Sequence, residues 1–495
     1  MPASTTGRIS QASPTRLARE RSTDGNDPAC SVGAPITGAR VCARYGPYDF
    51  RTYSRDSVGV DWPISYEDVA PYYDRVEKLV GIFGAAEGIE NSPDSPPGVL
   101  LPPPPPRAVE LWAQMVLAKR LGIRLVPNHA AVLTRPINGR QACLYATPCN
   151  RGCSIRANFQ SPTVLLAPAL ATGRLEIRTE AMVHEVVLNQ RGLSSGVRYI
   201  HKATSGRHFV AARSVVLAAS ACETARLLLN SKSPAFPDGL ANRSGQVGRN
   251  LSDAVVVNVS CEIPTLRGLP AYHSDGAGVQ HTIAPWWGHA ERRAGRLSFA
   301  VGYNVSAVGG KYMPYVGDFT QLPSEQGKPL YGQMLRERLS HQYGSTMILA
   351  AMGGMLPNAQ SRCEIDPTLK DRWGIPVLRF HRKWGENELA QARHAASTLS
   401  DMILAMGGGT PTVLNNNTAD TSMANGHEMG TARMGSDASN SVLNGVGHSW
   451  DVRNIYITDG AVFNGHADKH PTETILALAW RASDHLADSF LKREI

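Results

Sequence analysis

The chain has 495 residues, 42% of them hydrophobic, which is enough to build two domains with cores of ordinary size. Its formal net charge of +8 is scattered, with no Lys/Arg run or aromatic-interleaved basic patch, so nucleic acid is excluded as an expected partner. No run of about eighteen apolar residues predicts a membrane span, and the first 25 residues lack the apolar centre of a secretory signal, so the expected compartment is the cytoplasm.

Residues 1–39 are rich in Ser, Thr, Pro and Arg and carry no apolar periodicity, which predicts a poorly ordered tail. Ser65 and Asp68 form a capping box ahead of Val69, Tyr72, Tyr73, Val76 and Leu79, the spacing of an amphipathic helix. Pro102 to Pro106 is a stiff spacer leading into a second helix over Arg107 to Leu121. Cys143, Cys149 and Cys153 cluster in one loop. Three thiols with uneven gaps fall short of a closed four-ligand zinc site, so half-buried reduced thiols or one disulfide are preferred to a metal.

Further on, Arg213 to Asn230 contains the run Val-Val-Leu-Ala-Ala-Ser-Ala-Cys-Glu-Thr-Ala-Arg-Leu-Leu-Leu. This is a buried strand turning through small residues into a helix, and Ala219 and Ser220 let a ligand approach the backbone. Val255 to Ile263, Leu297 to Val305 and Thr346 to Met352 read as strands of a separate sheet. Trp286 and Trp287 lie in that region, where core or interface packing is preferred to stacking on a sugar.

The C-terminal part is the most informative. Asn454 to Thr458 is a short apolar strand that stops at Asp459-Gly460, the sheet edge at which open α/β proteins bind ligands. His470-Pro471-Thr472-Glu473 then opens a helix, with Pro471 expected at its first position and its positive end facing the crevice. His427 lies upstream in His427-Glu428-Met429-Gly430-Thr431-Ala432-Arg433-Met434-Gly435. A lone histidine is ordinarily a hydrogen-bonded core residue, and Asp459-Gly460 is ordinarily a capped turn; the partner His470 and the surrounding pattern favour a site instead. His448, His466 and His485 lack such support and read as surface or packing residues.

The stretch from His427 to Leu486, with Gly46-Pro47-Tyr48-Asp49-Phe50, Trp62-Pro63-Ile64-Ser65-Tyr66-Glu67-Asp68 and Val247-Gly248-Arg249-Asn250-Leu251, resembles the glucose-methanol-choline oxidoreductases, and the likeness runs from about Arg40 to the end. The resemblance implies an α/β fold: a Rossmann-like FAD-binding domain, incomplete here, with an inserted substrate domain on an antiparallel sheet. The expected limits are 40–255 with 416–495 for the first and 256–415 for the second. It implies FAD as cofactor and oxidation of an alcohol, sugar or polyol, with hydride passing to flavin N5.

By the same resemblance His427 is the catalytic base and His470 hydrogen-bonds the substrate hydroxyl, a position where bacterial members usually carry asparagine. Ala219, Ser220 and Val183 would lie along the dinucleotide. Asp459, Gly460 and Ala461 would meet its ribityl and pyrophosphate groups, and Pro471 and Thr472, with His470, its ring. The electron acceptor stays open between oxygen, a quinone and a cytochrome. The family's opening strand, Gly-x-Gly-x-x-Gly turn and helix have no counterpart in the sequence. The chain is therefore expected to be N-terminally truncated and weak in FAD affinity by itself. A second chain could supply the segment, or the chain could be a non-catalytic remnant.

Overall fold

The computed structural model describes residues 40–145, 149, 153–271, 281–311, 324–325, 328–414 and 426–495. The expected tail and the segment sought before residue 40 lie outside them, as do the side chains of Trp286 and Trp287.

Two bodies of structure share the chain. In the first, the strands Val215–Leu217 and Ile455–Ile457 pair in parallel, with Ile455 opposite Val215 and Ile457 opposite Leu217. Short β-branched runs suit this arrangement because a parallel strand packs on both faces. Ile455, Tyr456 and Ile457 are buried, while Val216 is 45% exposed among the described residues. A three-stranded antiparallel sheet, Ala181–Leu188, Ser194–His201 and Arg207–Ala211, lies alongside. Asn454 joins the two sheets: its amide donates to the carbonyls of Ser194 at 2.8 Å and Arg213 at 2.7 Å, and its oxygen accepts from Ser194 N at 2.9 Å.

The helix Tyr66–Val80 has the expected cap, with Asp68 Oδ2 accepting from Ser65 N at 2.8 Å. It buries Val69, Tyr73 and Val76 and leaves Leu79 on the rim. Tyr73 Oη meets Thr474 Oγ1 at 2.8 Å, docking this helix on the C-terminal helix Thr472–Leu491.

The second body is a six-stranded antiparallel sheet in the order Val126–Pro127, Thr282–Trp287, Tyr303–Gly309, Thr346–Gly353, Val255–Glu262, Thr412–Val413. Helices Ala108–Leu121 and Glu386–Ala405 cover one face, where Val109, Leu117, Val257, Val259, Val305, Leu349, Leu399 and Met402 form the core. Residues 108–127 thus join this body from well before residue 256, the expected start of the inserted domain. Strand alternation sends Tyr303, Val305 and Ala307 into that core and leaves the buried Asn304 and Ser306 for the opposite face.

Two expectations shift. The strand expected over Leu297 to Val305 runs instead from Tyr303 to Gly309. The residues before it bend, and Ala300 N is tied to Asn387 Oδ1 at 2.6 Å, so Phe299 reaches the core without sheet pairing. The C-terminal helix begins at Thr472, with Pro471 as its cap rather than its first residue. Among the described residues no disulfide joins the cysteines, and Cys143, Cys149 and Cys153 are half-buried. Among them, too, no helix is long and apolar enough to cross a membrane.

Candidate active site

His427 and His470 are 43 residues apart in sequence, yet their ring centroids lie 5.6 Å apart with planes at 75°. A third ring completes the group. His466, read from sequence as a packing or surface residue, is 2% exposed and stands edge-on to His427 at 5.8 Å and 88°. Its Nδ1 contacts the Ala467 carbonyl, which can only accept, so the proton sits on Nδ1 and Nε2 is left as a buried lone pair. Nδ1 of His470 is likewise buried and has no partner among the described residues.

Burial sets the protonation of this group. It holds His466 down at about 3 and His470 well below the usual imidazole range, with the neighbouring rings adding to the effect. Both are neutral near pH 7, so each can hydrogen-bond a hydroxyl without carrying charge.

The backbone brings the rings together. His427 N donates to Asp253 Oδ1 at 3.1 Å, and Met429 and Ser252 exchange backbone hydrogen bonds at 2.9 Å. His466 and Met355 do the same at 3.0 Å in both directions. Gly354 makes that approach possible, since a Cβ there would lie 2.4 Å from the His466 carbonyl oxygen. Glu428, beside His427 in sequence, is buried with one oxygen 3.3 Å from Arg382. Burial, and then Asp253, push its carboxyl up to about 7 against the opposing Arg382.

A buried ion network borders His470. Lys469, 1% exposed at its side chain, reaches Asp49 Oδ2 and Asp468 Oδ1 at 2.8 Å each. A cavity lined by Asn128, His129, Asn304, Asp468, Lys469 and His470 lies between the polar face of the six-stranded sheet and this segment. His470 thus stands at the cavity wall, with the ring of His427 5.6 Å from its own.

Two of the expected cofactor segments, Ala219-Ser220 and Asp459-Gly460-Ala461, meet at the carboxyl ends of the parallel strands. Asp459 Oδ2 accepts from Ser220 N at 3.1 Å and Thr224 Oγ1 at 2.5 Å, and its Oδ1 accepts from Ala461 N at 2.8 Å. Asp459 therefore binds the turn after one strand to the turn after the other, and burial raises its carboxyl to about 6 despite these donors. Ser220 has φ 84°, a strained conformation for a residue with a Cβ, at the point where strand gives way to helix. Its Oγ is buried with no partner among the described residues, and Ala219 beside it is exposed. Val183 lies on the three-stranded sheet, 37% exposed. Gly460 and Ala461 are buried, and Pro471 and Thr472 follow His470 into the C-terminal helix. An orphan hydroxyl and an open backbone at a switch between parallel strands fit a dinucleotide of FAD type.

Sequence reasoning missed His466, Asn304, Asp468, Lys469 and Asp253. A signal for two of them was present: Asp468-Lys469 sets two charges beside His470 in a loop of otherwise small and neutral residues.

Parallel strands ending on a capped Asp-Gly turn, together with a body built on a six-stranded antiparallel sheet, define a two-body α/β fold. Family models for GMC oxidoreductases match residues 118–256 and 357–479. The chain is 31% identical over 453 residues to 2-methyl-1,2-propanediol dehydrogenase of Mycolicibacterium austroafricanum, covering 90% of this chain and 78% of that protein. It is 26% identical to the fructose dehydrogenase large subunit of Gluconobacter japonicus, covering 89% and 77%. In fold it resembles pyridoxine 4-oxidase from Mesorbium loti, with TM-score 0.58, 15% identity and coverage of 91% and 82%. Formate oxidase of Aspergillus oryzae RIB40 matches with TM-score 0.59, 12% identity and the same coverage. The chain belongs to the GMC oxidoreductase family, whose membership implies FAD, and is an oxidoreductase.

Proposed function

We propose that this protein is an FAD-dependent oxidoreductase acting on the CH-OH group of an alcohol, sugar or polyol, with His427 as base. The observation that carries this reading is the 5.6 Å approach of His427 to His470, a residue that lines a cavity. Relatives named for a propanediol and for fructose support the substrate class.

The residues that would hold FAD are the main chain at Ala219 and Ser220, the turn Asp459-Gly460-Ala461, and Val183 toward the adenine, with His470, Pro471 and Thr472 lining the ring. Bound FAD would supply the oxidant, a hydride acceptor. The protein's own work is to orient and deprotonate. Neutral His470 hydrogen-bonds the substrate oxygen through a ring nitrogen. His427 takes the hydroxyl proton, a base contribution of about 10²- to 10⁴-fold. Packing of the rings against one another fixes them in position, and such positioning is worth on the order of 7 to 11 kcal/mol in well-oriented reactions. The positive end of the helix Thr472–Leu491 favours negative charge developing beside His470.

The test is to titrate the purified chain with FAD, follow bound-flavin absorbance, and assay a panel of alcohols, sugars and polyols with an artificial acceptor. Bleaching of bound flavin by one of these substrates supports the reading. Failure to retain flavin, or flavin unreduced by every alcohol tried, favours the non-catalytic or split-chain alternative.

A further inference from the structure

One end of the six-stranded sheet holds the chain beside all three site histidines. Val255 pairs with Gly353 and Asn304 with Met352, so the start of Val255–Glu262, the end of Thr346–Gly353 and the start of Tyr303–Gly309 lie side by side. Just before the first of these strands, Ser252 exchanges backbone hydrogen bonds at 2.9 Å with Met429, two residues past His427. Just after the second, Met355 exchanges backbone hydrogen bonds with His466. On the third, Asn304 Nδ2 donates to the carbonyl of Asp468, two residues before His470.

Asp253 adds a side chain that fastens the backbone of the expected base itself. It is 1% exposed, and its Oδ1 accepts from His427 N at 3.1 Å and from Ala254 N at 2.7 Å. The second bond holds the carboxylate at the entry to the strand Val255–Glu262, whose Val255, Val257 and Val259 are packed in the core of the sheet body. His427 and Glu428 lie in neither helix nor strand, so no local ladder fixes them. A buried carboxylate accepting from two backbone N–H groups is a strong, directional fastening. We propose that Asp253 is a positioning residue, which ties the main chain of His427 to the packed sheet and so sets where the base ring stands relative to His470. The inference rests on the proposed role of His427 in alcohol oxidation and adds the residue that aims it. No proton passes through Asp253 in this scheme. The substrate hydroxyl and the imidazole must meet within hydrogen-bond reach, and a misplacement of about 1 Å costs on the order of a hundredfold in rate. Asp253 is not among the residues expected to hold FAD, so its loss should act on the chemical step and leave the cofactor in place.

The experiment compares the FAD-loaded full chain with Asp253→Ala, which deletes the acceptor, and Asp253→Asn, which keeps an oxygen in its place. Two quantities are read: turnover with 1,2-propanediol, glycerol and fructose, and hydrogen exchange at the His427 amide by mass spectrometry. In Asp253→Ala the expected kcat falls at least about tenfold while KM and FAD affinity stay within about twofold, and His427 amide exchange speeds up at least about tenfold. Asp253→Asn should recover most of both losses. An undiminished kcat in a folded Asp253→Ala protein, or an Asn variant as slow as the Ala variant, overturns the proposal. So does FAD affinity falling in step with kcat, or a parent His427 amide that exchanges as freely as an unprotected one. Should Asp253→Ala not fold, Asp253→Ser takes its place under the same expectations, because its oxygen ends one bond short of the carboxylate's. If the parent takes up no FAD, or none of the three compounds reduces it, it is the alcohol-oxidising reading that fails. Exchange then decides the tether: protection lost in Ala and kept in Asn upholds it, and equal protection in all three proteins overturns it.

Discussion

The rings of His466 and His427 meet in a T-shaped contact with centroids 5.8 Å apart and planes at 88°, so the expected base is buttressed by a neutral imidazole. A carboxylate in that place would stabilise a protonated His427; a neutral ring restrains its orientation without paying the same electrostatic favour.

Replacing His427 by Ala removes the expected proton acceptor and leaves the strand turns that would hold FAD untouched. Turnover should fall by about 10²- to 10⁴-fold while flavin absorbance is retained. Stopped-flow reduction of bound flavin measures this, and an unchanged rate removes His427 from the mechanism.

His466→Phe keeps a flat ring against His427 and deletes both nitrogens. If the contact is chiefly steric, kcat should stay within about tenfold of the parent, whereas His466→Ala, which opens a cavity beside His427, should lower it further and destabilise the fold by roughly 2 to 4 kcal/mol. The two variants compared by flavin reduction and thermal melting separate packing from hydrogen bonding. Identical losses in both would point to the nitrogens instead.

Glu428 gives a pH dependence with a definite sign. Burial and Asp253 raise its carboxyl from an ordinary 4.5 to about 7, so between these values the folded protein holds a proton that the unfolded chain has released. Its contribution to stability is fully present below about 4.5 and is lost as pH rises through about 7, a change of about 3 kcal/mol at most. Glu428→Gln should flatten this part of the profile of melting temperature between pH 5 and 8. A profile as steep as the parent's would mean that other groups control it.

Lys469 is bonded to two carboxylates, Asp49 and Asp468. Lys469→Met leaves the two charges without it, and the loss should be about 3 to 5 kcal/mol, read by chemical denaturation. The accompanying substitution Asp49→Asn should restore part of that stability. If the double variant is no more stable than the single one, charge imbalance is not the cause.

Much of the frame was legible in sequence because its signals are local. The capping box at Ser65 and Asp68, the breakers around Ala108–Leu121 and the β-branched runs at Val255–Glu262 and Thr346–Gly353 each act within a few residues of themselves. The strand before Tyr303 was misread because Leu297 and Phe299 have strand-like apolar character, yet a distant side chain, Asn387, pins that stretch outside the sheet.

The site divides in the same way. His427, His470 and Asp459-Gly460 were singled out because each sits in a recognisable motif. By itself the sequence determined the parallel strands, the turn chemistry at their ends and the two ring residues worth watching. Only the tertiary structure decided that His466 packs on His427, that Asp459 ties Ser220 to Ala461, and that Asn304 and Asp468 share one wall. The physical reason is that burial and hydrogen-bond satisfaction depend on neighbours far along the chain: Asn304 lies 164 positions from Asp468, and no local pattern encodes that meeting.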